Sequence, residues 1–394
     1  MNAPPPIRLL IAYITAGTGH RRAAEALARA ATATWPGVDV ECLDVLRDTP
    51  RWFRWLYPNV YLFLVRRTSW LWRVSYRLLD GAGVYRLVQP LRRWWNLSIA
   101  SAFRRRLAER PVDAVLATHF LPADLCNSLK RAGILAAPLI VVVTDLHPHR
   151  FWLAALAEAF VVATPQSASV CVARGIEEGR VRVLGIPVDA AFTSPADPVM
   201  LRGRLGLDPQ RLTVLVTSGG TTVGHFEEVA RRLVSLERVH PGRLQLLIIC
   251  GEADEVRRRL SALAAQSPMP VRVHGFVETM ADFMGASDLV VAKAGGLTIS
   301  ESLARGKPLI LYHVIPGQEE MNARYVAEHH AGLIARDPAG PAEAIAACLA
   351  HPERLAAMRQ AARLLSRPRA AVEIMEQVVA PLLESAVHRP SSTA

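Results

Sequence analysis

The five cysteines stand singly, at positions 42, 126, 171, 250 and 348, with no CxxC pair among them. Such spacing excludes a disulfide framework and a zinc knuckle, and it fits a reducing cytoplasm. Long hydrophobic runs are also missing. Stretches such as 134–143, ILAAPLIVVV, fall short of the roughly 18 residues that a membrane span needs, and they suit buried parallel strands better. The opening segment MNAPPPIRLLIAYI has no basic n-region ahead of its apolar run and leads into a glycine turn, so it reads as a first strand and not as a signal peptide. No G-x-G-x-x-G with a following ribose-binding acid comes after that strand, which sets a Rossmann dehydrogenase aside.

The chain is rich in positive charge. Its formal charge of +11 and pI near 10.0 call for an anionic partner: a nucleic acid, an anionic membrane or a phosphorylated substrate. The surplus is local. Residues 51–110 hold thirteen Arg, no Lys and only two acids, Asp80 and Glu109, together with six of the eight Trp (52, 55, 70, 72, 94, 95) and four of the seven Tyr. Amphipathic rings favour the headgroup level of a bilayer, and each basic side chain near an anionic surface contributes about 1 kcal/mol. A peripheral membrane patch is the expectation, with rings in a core and arginines on a solvated face as the plainer alternative. Nucleic acid is not expected as a partner, because no binding module accompanies the patch.

At 394 residues, 51% of them hydrophobic, the chain is long enough for two α/β domains of roughly 150 to 200 residues each. Short β-branched runs alternate with Ala/Leu/Arg-rich helical stretches: IRLLIAYI, then 21–34; DAVLAT, then 122–132; PLIVVVTD; AFVVAT, then 166–174; VRVLGI. This is βα alternation and implies a parallel sheet covered on both faces. The Pro- and Asp-rich stretch 188–211 reads as the linker. The pattern then restarts with five strand candidates, LTVLVTSGG, LQLLIIC, VRVHGF, DLVVAKAGG and PLILYHV, followed by a helical tail over 341–387.

Three glycine turns lie between a strand and a helix, where free N–H groups and the positive end of a helix dipole can meet a phosphate. The first, AGTGH at 16–20, contains His20, whose ordinary pKa suits proton transfer. A tight turn with no chemistry is the alternative. The second, TSGGTTVGH at 217–225, could wrap a diphosphate with Gly219, Gly220 and Thr221. The third is the longest, KAGGLTISESLARGKPLILYHVIPGQEEMNA at 293–323, with Gly295 and Gly296 at the turn, Thr298 at the helix start and Glu301 one turn on. Carboxylates such as Glu301 and Glu319 can accept bonds from sugar or ribose hydroxyls.

With GF at 275–276, the segment 293–323 resembles the nucleotide-sugar half of glycosyltransferase family 28. The GxGH turn, VTDLHPHRFW at 143–152 and the Arg/Trp-rich insertion with WLWRVSYRLL are similar to the monogalactosyldiacylglycerol synthase and diacylglycerol glucosyltransferase branch, and the resemblance covers roughly residues 7–380. It implies an α/β chain of GT-B architecture, two Rossmann-like doubly wound domains facing a cleft. Residues 1–190 would be the acceptor and membrane-associating domain. Residues 191–394 would bind the UDP-sugar, with the C-terminal helix free to pack back on the first domain.

The resemblance also assigns residues. Phe276 would hold uracil, Gly295, Gly296 and Thr298 the diphosphate, Glu301 the ribose, and Gln318 with Glu319 the hexose, while Asn322 braces the last loop. Gly219, Gly220 and Thr221 would close over the diphosphate, and Lys293 would stabilise the departing UDP. His20 becomes the general base or acceptor orienter. Two departures from the plant-type pattern, Thr15 in place of an acid and Gly17-Thr18-Gly19 in place of a triple glycine, keep Asp145, His147 and His149 open as alternatives. Gly17, Gly19, Trp70, Trp72, Arg73, Arg77, Trp94, Trp95 and Trp152 make up the acceptor and membrane set.

The expected reaction is an inverting transfer of a hexose from a UDP-sugar to diacylglycerol, making a glycolipid at the cytoplasmic face of the membrane. The chain contains no Asp-x-Asp, so neither a metal nor another cofactor is expected. The rival activity is transfer of N-acetylglucosamine to a polyprenyl-linked peptidoglycan precursor, and a more distant one is a catalytically silent nucleotide- or membrane-binding protein.

Overall fold

The computed structural model describes residues 6–15, 17–219 and 225–387. The chain divides into two compact units, the first formed by residues 1–189 with 369–394 and the second by 190–368.

The first unit runs β1 (Arg8–Tyr13), α1 (Gly19–Thr34), β2 (Asp39–Asp44), then four consecutive helices, α2 (Arg51–Arg67), α3 (Ser69–Asp80), α4 (Ala82–Ile99) and α5 (Ser101–Glu109). It continues β3 (Ala114–Ala117), α6 (Phe120–Arg131), β4 (Leu139–Val142), β5 (Ala159–Val162), α7 (Pro165–Ala173) and β6 (Val181–Val183). The strands form one parallel sheet in the order β2-β1-β3-β4-β5-β6. Side chains alternate across a strand, and β1 shows the consequence. Leu10, Ala12 and Ile14 enter a core with Leu125, Cys126 and Leu129 of α6, while Leu9, Ile11 and Tyr13 enter another with Ala24, Leu27 and Ala31 of α1. Residues 370–387 complete that second core through Ile374, Met375 and Val378.

The second unit runs α8 (Pro198–Arg204), β7 (Leu212–Thr217), α9 (Phe226–Ser235), β8 (Leu244–Ile249), α10 (Asp254–Ala265), β9 (Val271–His274), α11 (Met280–Ala286), β10 (Leu289–Ala292), α12 (Gly296–Ala304), β11 (Leu309–Leu311), α13 (Gln318–Glu328) and β12 (Gly332–Ile334). Two further helices span Gly340–Ala350 and Pro352–Leu364. Its sheet is also parallel, in the order β12-β11-β10-β7-β8-β9.

Two strands escape the sequence reading, β2 and β12, and both are sheet edges. The first, DVECLD, carries three acids and is only partly covered, so it lacks the apolar run of an inner strand. The second is three residues long and opens on Gly332, where a Cβ would collide with the carbonyl of Leu309. In each sheet the chain reverses its direction of travel once, between β1 and β3 and between β7 and β10. Open parallel sheets place ligands at the carboxyl ends of their strands beside such a reversal.

Candidate functional site

In the first unit the site grows from loops after β1, β3 and β4. Gly17, with φ of 89°, turns the chain after β1, a conformation that side chains with a Cβ adopt only at a cost. α1 begins two residues later, and His20 lies in its first turn. Its Nδ1 is 3.0 Å from the Thr118 carbonyl oxygen and 2.7 Å from Thr144 Oγ1. A carbonyl only accepts, so Nδ1 carries the hydrogen. The Thr144 hydroxyl directs its own hydrogen to that carbonyl at 3.2 Å, and the Thr118 hydroxyl donates to the backbone oxygen of His20 at 3.0 Å. This tautomer leaves Nε2 with a lone pair.

His119, which the sequence reading missed, packs edge-on against His20 with ring centroids 4.6 Å apart. Its position gives the same signal as His20, a histidine just past the carboxyl end of a strand next to the reversal. Trp152 lies 6.5 Å from the His20 ring and 6.1 Å from that of His119, and only 2% of it is exposed. It therefore leaves the membrane set and forms an apolar wall behind both imidazoles. Burial pushes His20 down to about 4 against the opposing Thr118 bond. Burial and then the neighbouring His20 push His119 well below its usual value. Both rings are neutral at neutral pH.

The loop after β4 carries the three alternatives to His20. His149 is excluded as a base, because its Nδ1 accepts from the Phe151 N–H at 3.1 Å and its Nε2 donates to the Tyr76 carbonyl at 3.0 Å. Asp145 is buried, and His147 is half-buried and pushed down by burial and then by Arg174, with Asp80 opposing. Thr15 donates to Asp44 at 2.7 Å, so a carboxylate from the end of β2 stands beside the turn whose expected acid is absent.

The four helices α2–α5 carry the arginine and tryptophan excess. Phe53, Ile99 and Phe103 anchor them in the core, and the Trp52 and Trp95 rings meet edge to face at 5.4 Å. Beyond these anchors the surface is apolar: 14 of the 24 exposed large hydrophobics among the described residues fall between Trp52 and Trp95. Trp70 is 68% exposed, Trp94 65% and Leu87 80%. Arg73 and Arg77 are exposed beside them, and Trp72 is half-buried near Tyr76. Among the described residues no helix is long and apolar enough to cross a membrane. An exposed apolar area of this extent marks an interaction surface.

In the second unit the expected donor residues lie past the carboxyl ends of β7, β9, β10 and β11. The Gly219 N–H donates to Thr217 Oγ1 at 3.2 Å; Gly220 and Thr221 lie outside the described residues. Phe276, just past β9, is 50% exposed. Lys293 is half-buried after β10, Gly295 caps α12 and Gly296 opens it, and Thr298 follows in the first turn. Glu301 is buried in the same helix. Gln318 opens α13, and Glu319 Oε2 accepts from the Ile315 N–H at 3.0 Å, so this carboxylate also shapes its own loop. The fully buried Asn322 donates to the Ala294 carbonyl at 3.0 Å and ties α13 to the turn before α12.

Residues 20–188 match the model of the monogalactosyldiacylglycerol (MGDG) synthase family, and residues 213–374 match that of the glycosyltransferase family 28 C-terminal domain. Monogalactosyldiacylglycerol synthase 1, chloroplastic, of Arabidopsis thaliana is 31% identical over 96% of this chain and 72% of that protein. The chain belongs to the monogalactosyldiacylglycerol synthase family. Also similar is a processive diacylglycerol beta-glucosyltransferase of Bacillus cereus, 26% identical over 95% of this chain and 94% of that protein. The crystal structure of MurG from Acinetobacter baumannii matches 95% of this chain and 100% of its own with a TM-score of 0.62 at 17% identity. The fold of this family member is thus GT-B, two doubly wound α/β units, as its motifs imply.

Proposed function

We propose that this chain is an inverting hexosyltransferase that moves a sugar from a UDP-sugar to the free hydroxyl of diacylglycerol, making a membrane glycolipid. The observation that carries the reading is kinship along nearly the whole chain with two proteins whose names share diacylglycerol and differ in the hexose. The first unit supplies the base and the second the donor. As the acceptor oxygen bonds to the anomeric carbon, the bond from that carbon to the β-phosphate oxygen breaks, and UDP leaves with its electron pair. The acceptor proton passes to His20 Nε2. A resting value near 4 makes His20 a weak base, but the protonated ether formed at the anomeric centre is a far stronger acid than the imidazolium, so the transfer runs downhill. The Thr118 carbonyl then bonds the imidazolium through Nδ1.

Asn322, Glu319 and the α12 turn fit a nucleotide-sugar site in which backbone N–H groups and Lys293 face the diphosphate, and the proposal includes no metal and no other cofactor. The exposed rings and arginines of α2–α4 support a peripheral position on an anionic, cytoplasmic membrane face. Purified protein is to be incubated with anionic liposomes containing diacylglycerol and, separately, UDP-glucose, UDP-galactose, UDP-glucuronate and UDP-N-acetylglucosamine. A glycosyl-diacylglycerol from one donor, lost in His20→Ala, is expected. Folded, liposome-bound protein that makes no such lipid would refute the acceptor assignment and favour a polyprenyl-linked one.

A further inference from the structure

His119 is the N-cap of α6, and its Nδ1 accepts from the Leu121 N–H at 3.0 Å. An imidazole nitrogen that accepts from an amide carries no hydrogen. In the neutral ring the hydrogen is therefore on Nε2, the reverse of His20, whose Nδ1 holds it against the Thr118 carbonyl. Among the described residues that Nε2–H finds no acceptor, although only 4% of the residue is exposed. Buried donors are nearly always satisfied, so one left over calls for a partner that the chain itself does not supply. The His20 and His119 rings meet at 87° with centroids 4.6 Å apart. Two hydrogen bonds of about 2.7–3.2 Å placed end to end span more than that separation, so one oxygen can bond both rings. Such an oxygen meets a lone pair on His20 and a hydrogen on His119.

Aromatic rings continue from His119 toward the exposed helices. Phe120 lies against it at 4.1 Å, Phe151 follows at 5.7 Å, and Tyr85 of α4 comes next at 6.2 Å. All three are half-buried, so the row presents apolar surface between the two histidines and the helix that carries Trp94 and Trp95. A lipid lying along it brings its hydroxyl end to the imidazoles.

We propose that His119 is a second acceptor-binding histidine: its Nε2–H donates to the hydroxyl oxygen of diacylglycerol while His20 Nε2 accepts the hydroxyl hydrogen. This rests on the acceptor reading given above, with His20 as the base. A hydroxyl oxygen has two lone pairs. His119 engages one of them, His20 fixes the direction of the hydrogen, and the remaining pair is left to form the bond to the anomeric carbon. The acceptor proton passes to His20, and His119 keeps its own hydrogen throughout, because its Nδ1 is committed to the α6 cap. Burial, then His20, hold the His119 ring neutral, so it places no second charge beside the imidazolium that forms.

The test removes the two nitrogens of His119 one at a time in the full-length protein, assayed on diacylglycerol liposomes below every melting temperature. An Asn side chain sets its amide oxygen where Nδ1 stands, and a Gln side chain reaches with its amide to where Nε2 stands. His119→Asn is expected to keep the cap and the melting temperature but to lower kcat for glycosyl-diacylglycerol about 10- to 100-fold, with the donor KM unchanged. His119→Gln is expected to melt lower, having lost the cap, and yet to restore most of that rate. Stability and rate then move in opposite directions, which a role in packing or capping alone does not produce. A His119→Asn enzyme as fast as wild type, or rates that follow the melting temperatures of the two variants, overturns the inference. Wild-type protein that binds the liposomes and makes no glycosyl-diacylglycerol from any UDP-sugar tested overturns the acceptor reading instead.

Discussion

Asp80 and Arg174 form a two-point ion pair, Nη1 to Oδ1 at 2.9 Å and Nη2 to Oδ2 at 2.6 Å. It joins the last residue of α3 to the end of α7, and the loop after β4 is held in the same clasp. The Arg150 N–H donates to Asp80 Oδ1 at 2.8 Å, and Arg174 also donates to the Pro148 carbonyl at 2.9 Å. The aromatic helices and the loop that carries Asp145 and His147 therefore share one carboxylate. Burial pushes Asp80 up, but the Arg150 N–H, His149 and Arg174 outweigh it and hold the carboxyl below its usual value. Asp80→Asn is expected to cost about 1–3 kcal/mol in chemical denaturation and to lower kcat with the donor KM unchanged. A lowered carboxylate stabilises the fold fully above the ordinary Asp value of about 4, and that contribution fades as the pH falls through the folded value. The variant loses this acid sensitivity.

His20 has the opposite sign convention to a carboxylate in its titration but the same slope. Its folded value of about 4 lies under the reference of 6.5, so between the two the unfolded chain binds more protons, and stability rises with pH across that window. His20→Gln is expected to flatten the slope in thermal melts taken across it. His20→Ala is expected to lower kcat/KM by about 10² to 10⁴ while its fold, read by circular dichroism, is kept.

Exposed Trp70 and Trp94 give a third test. Burying a large apolar side chain is worth about 1.5–3 kcal/mol, so Trp70→Ala with Trp94→Ala is expected to weaken liposome co-sedimentation by more than about tenfold. The melting temperature of the soluble protein is expected to stay the same. Rings packed in a core would instead show their loss as a lower melting temperature.

Asn322→Ala leaves the Ala294 carbonyl without its amide partner in a fully buried place. A loss of about 1–3 kcal/mol is expected, together with weaker UDP binding, because the turn that opens α12 is no longer tied to α13. Asn322→Asp replaces a donor with a charge facing a carbonyl, and it is expected to be worse than Ala by calorimetry.

Ten strands were legible because each contains a short apolar run, the edge strands β6 and β9 among them, and β2 and β12 were not, because β2 interrupts its run with three acids and β12 is three residues long and opens on glycine. Glu301 could be placed one turn into a helix from its spacing, whereas Gln318 was read in a turn and Asn322, on the family resemblance, as the brace of a loop, and both lie in α13. What spacing cannot supply is the sharing of partners across the sheet. Thr118 and Thr144 are ordinary residues until the fold brings them to one nitrogen of His20, 98 and 124 positions away. Trp152 was misgrouped for the same reason, since composition joins it to the other tryptophans while the chain puts it behind two histidines.

Residues 370–387 return to the core under α1 after the whole second unit has been made. The first unit is therefore the last to be finished during synthesis. Until the final segment emerges from the ribosome, Leu27 and Ala31 lack the neighbours Ile374, Met375 and Val378, and the nascent first half carries an open apolar face. The chain's order of completion runs against its order of translation, so a stop codon close to the C-terminus would damage the end that was translated first.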